Sequence, residues 1–219
     1  MTSSFIDEGN VRQELVVFLR NKDVLTITER GVTTSQDTGT FSAASSHTLA
    51  TNPTLAKNVR DITVASSALS FGTDYTVNYT TGLITFVSNQ TGAYVINYDQ
   101  GSGDKIHPDF PRDDLSISSY PRIAVDTQDS STEPLGIGGN DYMTEVGITV
   151  VAYASTTKKI DTLITSIRED MITNNQGFYY LKFVNPVGRG PLIKDPSSKK
   201  EIMSRSLDFL SKFNVESIA

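Results

Sequence analysis

Two histidines, His47 and His107, come first, because a chain with no cysteine has few other ways to hold a metal or activate a nucleophile. His107 is followed by Asp109, Asp113 and Asp114, a run able to offer an imidazole and carboxylates to one ion. That run is rich in Pro and Asp, whereas metal ligands usually stand on rigid elements, so a solvated acidic linker is the stronger reading. Asp141 and Glu145 stand near a strand start and could work as an acid–base pair, but nothing lifts them above surface charge. Gly136-Ile137-Gly138-Gly139 has the glycines of a phosphate cradle, yet it lacks the Gly-Lys-Ser/Thr ending and a helix behind it. Arg189, Lys194, Lys199 and Lys200 make a small basic patch suited to an acidic partner surface. Tyr75, Tyr79, Tyr94 and Tyr98 could stack sugars or bases, although cross-strand packing accounts for their spacing more simply. The sequons at Asn78 and Asn89 are expected by chance in a chain so rich in Asn and Thr. No catalytic, cofactor-binding or metal-ligating residue is assigned, and the expectation is a non-enzyme without a cofactor.

The totals agree with that expectation. A chain of 219 residues is long enough for a sizeable core, in one large domain or two small ones. Its apolar share of 37% is low, which points to exposed Ser/Thr-rich segments or to apolar surface supplied by neighbouring subunits. A net charge of −6 argues against a dedicated nucleic-acid binder, though not against a surface that DNA slides past. No apolar run is long enough to span a bilayer, and no signal peptide is visible, so a soluble, cytoplasmically made protein is expected.

The elements that must carry these residues follow from periodicity. Val11, Leu15, Phe18 and Leu19 repeat as one helix face, with Asp7 or Asn10 placed to cap it and Lys22 near its end. Residues 24–28 read as a short strand, and residues 31–46, mostly Ser, Thr, Gly and Asp, as a polar loop. Residues 47–100 alternate as half-buried strands. The clearest piece is a hairpin from Tyr75 to Phe86 turning at Gly82, and a second turn is expected near residues 89–92. After a linker at 101–115, the pattern predicts a strand within 117–127, a glycine-rich loop at 128–142 and a strand at 146–153. Ile160, Leu163, Ile164, Ile167 and Met171 then predict a helix capped by Thr156 or Thr157. A strand at 178–184, a Pro/Gly loop at 186–196 and a long closing strand through Leu207, Phe209 and Phe213 complete the chain. The fold class is α+β: a mixed or antiparallel sheet with helices on one side, plus an inserted small antiparallel β-unit. By this reading residues 1–30 and 101–219 form the main domain and residues 31–100 the insert.

Three of these features together resemble the tail terminator and related neck (head–tail joining) proteins of long-tailed phages and archaeal tailed viruses. They are the element order itself, the stretch Tyr120-Pro121-Arg122-Ile123-Ala124-Val125 followed by Gly136-Ile137-Gly138-Gly139 and a strand, and Arg205-Ser206-Leu207-Asp208-Phe209 near the end. The resemblance covers about residues 5–25 and 115–219, and the 75–86 hairpin resembles small β-modules of virion proteins; the insert departs from the shortest family members. It implies a virion protein of the tail or neck, made in the host cytoplasm and forming a homo-oligomeric ring, commonly a hexamer. Such a ring ends tail-tube growth and docks to the neck or connector, with DNA passing through its lumen without specific binding and no membrane involved. No catalytic residue carries over. Other readings are a different neck, baseplate or tail-tube subunit, a carbohydrate-binding β-module using the tyrosines, and a hydrolase or nuclease using His107 and its neighbouring aspartates.

Overall fold

A computed structural model describes residues 8–49, 56–79, 81–101, 103–108, 110, 119–134, 141–175, 177–181, 183–194 and 202–216. The chain divides into two compact units, residues 1–25 with 105–219, and residues 26–104.

The first unit is built on three long strands, β7 (Arg122–Pro134), β8 (Asp141–Ala154) and β11 (Met203–Glu216). They are antiparallel neighbours, with β8 between the other two. Short strands complete the sheet. β6 (Ile106–His107) runs parallel to the start of β7, while β9 (Asn185–Arg189) and β10 (Ile193–Lys194) pair with the far side of β11. Helices α1 (Glu8–Asn21) and α3 (Thr157–Thr173) share one core with one face of this sheet. Ile123 and Val125, then Ile148, Val150 and Ala152, then Leu207 and Phe209 all point into it. That period of two within strands is why the alternation was readable. Val11, Leu15 and Leu19 supply the α1 face, and the five apolar residues expected of α3 are all buried.

The α3 start is set by Thr156, whose hydroxyl accepts from the Lys159 N–H at 3.3 Å. Thr156→Ala is expected to cost about 1 kcal/mol in urea unfolding, whereas Thr157→Ala, one residue inside the helix, should leave the midpoint nearly unchanged. Equal effects from the two variants would show that the cap contributes nothing.

The second unit is an antiparallel sheet around β5 (Leu83–Gln100), an 18-residue strand. On one side it pairs with β1 (Thr33–Thr48), and on the other with β2 (Ala56–Val64) and β4 (Tyr75–Asn78); β3 (Ser67–Leu69) extends β2. Its core holds Phe41, Val59, Ile62, Tyr75, Ile84, Phe86, Ile96 and Tyr98. The 75–86 hairpin forms as expected, with Gly82 at φ 69° in its turn, where a side chain would be strained. The fold is therefore α+β, with a mixed sheet carrying its helices on one side and a smaller antiparallel β-unit inserted in the chain.

Several local expectations are corrected. Residues 24–28 are not a strand: Thr26 caps a short helix, α2 (Ile27–Arg30), through a reciprocal bond with Glu29. Residues 31–46 are not a loop but most of β1. It reads as polar because it is an edge strand that turns only Asp37 and Phe41 fully inward. The turn near 89–92 is absent, since β5 runs straight through it. Gly92 sits there at φ 119°, opposite Phe41, in a stretch where the register slips. Most of the 128–142 loop is strand, the ends of β7 and β8; residues 135–140 lie outside the described residues. Residues 178–181 and 183–184 are irregular even though Phe178, Leu181 and Val184 are buried; the strand comes later, as β9, inside the expected 186–196 loop. The 101–115 linker contains β6. Asn10 lies within α1 rather than at its cap, and Asp7 lies outside the described residues.

Candidate interaction site

The residues singled out for chemistry do not converge. His47 is on β1 in the second unit and His107 on β6 in the first. Asp109, Asp113, Asp114, Gly136 to Gly139, Lys199 and Lys200 lie outside the described residues, as does the Asp141 side chain. Glu145 faces Lys212 across β8 and β11 and pairs with it, an ordinary cross-strand ion pair. Among the described residues no group of three His, Asp or Glu side chains is placed to hold a metal ion, and no helix is long and apolar enough to cross a membrane.

The tyrosines are packed rather than presented. Tyr75 and Tyr98 are buried, Tyr94 stacks on Phe41 with ring centroids 4.0 Å apart, and the Tyr79 hydroxyl accepts from the Val59 N–H. Burial pushes the Tyr75 phenol well above its ordinary pKa, with Tyr79, Asp61 and Asp74 adding to the rise. These side chains offer no exposed stacking platform of the kind the sugar-binding alternative requires.

His47 has partners that periodicity did not reveal. Its Nε2 lies 3.4 Å from Asp37 Oδ2, and the Tyr98 hydroxyl donates to Asp37 Oδ1 at 3.2 Å. The imidazole also meets the rings of Phe41 and Tyr94. A carboxylate orienting an imidazole is half of a nucleophile-activating set. The other half is missing among the described residues, since the ring's remaining contacts are aromatic.

The second unit also buries an ion cluster. Arg30, fully enclosed at the end of α2, donates from Nη1 to Asp99 at 2.7 Å and from Nη2 to Asp104 at 2.7 Å. Arg60 Nε donates to the other Asp99 oxygen at 2.6 Å. Burial alone would lower the Arg30 pKa, but the hydrogen bonds and charges of Asp104 and Asp99 outweigh it and hold the pKa above its ordinary value. Arg30, Asp99 and Asp104 are enclosed, Arg60 is partly exposed, and the cluster ties the two ends of the unit together.

The first unit carries an open groove where α3 meets β9. A groove of about 520 Å³ opens there, lined by Ile164, Arg168, Ile172, Val187, Arg189 and Leu207 among others. Arg189 and Arg205 both donate to Asp161 Oδ1, at 2.5 Å each, and fix β9 and β11 to the helix. On α1, the buried Glu14 carboxylate accepts from the Tyr179 and Tyr180 N–H groups and holds the 178–181 segment against the helix. Of the basic patch expected from the sequence, Arg189 and Lys194 thus lie on the β9–β10 edge. Ile172, Tyr179, Phe183, Val187 and Ile193 are exposed in the same stretch of chain, which accounts for five of the seven large apolar side chains exposed among the described residues. The sheet face away from the helices is polar, with Thr149 donating to Asp208 at 2.9 Å and Gln128 to Thr149 at 3.2 Å. On that face burial, with a smaller push from Tyr120, raises the Tyr153 phenol to about 12.

Compared with protein-family models and with curated proteins, the sequence matches no family and no curated relative.

Proposed function

We propose that this chain is a structural virion protein, a tail terminator that forms a ring at the tail–neck junction, ends tail-tube growth and docks to the head connector. The observation that carries this reading is the order α1, β7, β8, α3, β11, with both helices on one face of a single sheet. The resemblance of residues 5–25 and 115–219 rests on this order with two closing strands after the helix; the expected strand at 178–184 is irregular, and β9, β10 and β11 follow α3 instead. Work of this kind breaks no bond, so it needs edges and faces rather than an acid, base or metal. The side chains most able to do chemistry, His47 with Asp37 and the Arg30 cluster, have their described partners inside the second unit. A net charge of −6 would keep a DNA passage non-adhesive.

The test is deletion of the gene from its virus, complementation with the intact gene, and electron microscopy of the particles. Overlong tails, or tails unattached to heads, are expected from the deletion and should be cured by complementation. Complete loss of tails would instead identify a tube or baseplate subunit. Normal, infectious particles from the deletion would end the virion assignment.

A further inference from the structure

We propose that the open edge of β1, along Thr33–Phe41, is a docking site for an extended segment of another protein, which joins the sheet of the second unit as one more strand. β1 ends its sheet: β5 pairs with it on one side, and among the described residues no strand pairs with the other. Thr33, Thr34, Gln36, Thr38, Gly39 and Thr40 are all exposed along this stretch. The register with β5 runs evenly to Phe41 and slips only beyond it, so the outward backbone groups of the stretch form an unbroken row. Natural edges are commonly guarded by Lys, Pro or an inward charge that a neighbour would bury. Residues 33–41 hold no Lys, Arg or Pro, and their one carboxylate, Asp37, already meets Tyr98 and His47 on its own sheet. An edge left this way is completed by the main-chain hydrogen bonds of another extended chain.

The side chains beside the edge define the segment. On the core side, Tyr94 stands directly opposite Gly39, and its ring lies across β1 where a side chain is missing. A Cβ at Gly39 would sit 2.9 Å from the Tyr94 hydroxyl, so that ring position requires the glycine. Phe41 takes one face of the ring, with centroids 4.0 Å apart, and Tyr94 as a whole is only half-buried. An added strand would lie about 4.8 Å beyond β1, so its residue opposite Gly39 meets the hydroxyl end of this ring. An apolar side chain there extends the Phe41–Tyr94 stack and excludes water from it. On the other side of the sheet the row is Thr34, Gln36, Thr38 and Thr40, with Gln36 donating to Asn97 at 2.8 Å. That row is uncharged and suits Ser and Thr, which pair across strands through their hydroxyls. The ligand is therefore an uncharged extended peptide, Ser/Thr-rich, with one apolar residue set on Tyr94. This docking stands on the second unit alone and does not depend on the virion role.

The experiment uses the full chain and amide hydrogen exchange followed by NMR. The probe is the end-capped synthetic peptide Thr-Thr-Ser-Thr-Ile-Thr-Ser-Thr-Thr, which reads the same in both directions and so fits a parallel or an antiparallel addition. At about 1 mM peptide, every second amide between Thr33 and Phe41, the outward set, is expected to exchange about tenfold more slowly. The open amides of β9 should not change. A control peptide with proline at two of its inner positions should give no protection, because it lacks the donors and the extended pairing. Glycine in place of the isoleucine should weaken binding on the order of tenfold, since only that side chain reaches Tyr94. No protection at Thr33–Phe41, equal protection by the proline control, or protection at β9 instead would each overturn the docking site. An unchanged affinity with the glycine peptide would overturn the role given to Tyr94. A second copy is the rival occupant: a wild-type dimer whose outward β1 amides are already protected, and lose that protection on dilution to monomer, would overturn the assignment to another protein.

Discussion

Asp99→Ala is expected to destabilise the second unit by about 3–5 kcal/mol, because it removes one of the two carboxylates that balance a buried cation. The Arg30 side chain has no solvent exposure, so water cannot replace a missing partner. Asp99 spans two arginines, taking Arg30 Nη1 on one oxygen and Arg60 Nε on the other. With alanine there, Arg30 keeps Asp104 but loses its other buried carboxylate, and Arg60 loses the carboxylate that Asp99 supplied. The unit's chain enters at α2 and leaves at Asp104, and the cluster fastens entrance to exit. Losing it should open the ends before the core around Ile62 and Ile96. Urea unfolding with a probe in the second unit gives the number, and early proteolysis near residues 26–32 gives the location. A loss below about 1 kcal/mol would mean the cluster is dispensable. Asp99→Asn keeps the shape and one acceptor oxygen but removes the charge and sets an N–H donor against one of the two arginines, so it too should destabilise the unit.

That cluster shows where the sequence stops being readable. Arg30 lies 69 and 74 residues from its two carboxylates, and no local pattern links such positions. Asp99 also follows Ile96 and Tyr98 at the parity that reads as solvent-facing, so periodicity does not mark it as buried. The same effect hid β1. Its inward residues, Asp37 and Phe41, are too few and too widely spaced to set up an alternation, and its partner β5 supplies the hydrogen bonds that its composition does not announce. His47 opens the stretch that reads as strands, but with residues 31–46 reading as loop its closeness to Asp37 is not anticipated. By contrast α3 and β11 were legible, because each turns one apolar side into the core of the first unit and leaves the other polar. The 75–86 hairpin was legible for the same reason, helped by Gly82. β9 was invisible because every one of its residues is exposed, and Pro186 and Gly188 argue for a loop.

Leu207→Ala is the second large effect, expected at about 2–5 kcal/mol. Leu207 is 1% exposed on β11, paired with Val150 on one side and Arg189 on the other, and it forms part of the groove beside Ile164. Truncation removes apolar contact from α3 and the sheet together, and the surrounding strands are too well paired to collapse into the gap, which favours the upper part of the range. Leu210 gives the internal comparison. It lies three residues on, facing the opposite side of the same strand, and is only half-buried, so Leu210→Ala should cost less than half as much. Both variants keep the backbone ladder, so the slope of the urea transition should not change, only its midpoint. A Leu207→Ala loss under about 0.5 kcal/mol, or one equal to that of Leu210→Ala, would remove this face of β11 from the core and with it the layer order on which the proposed role rests.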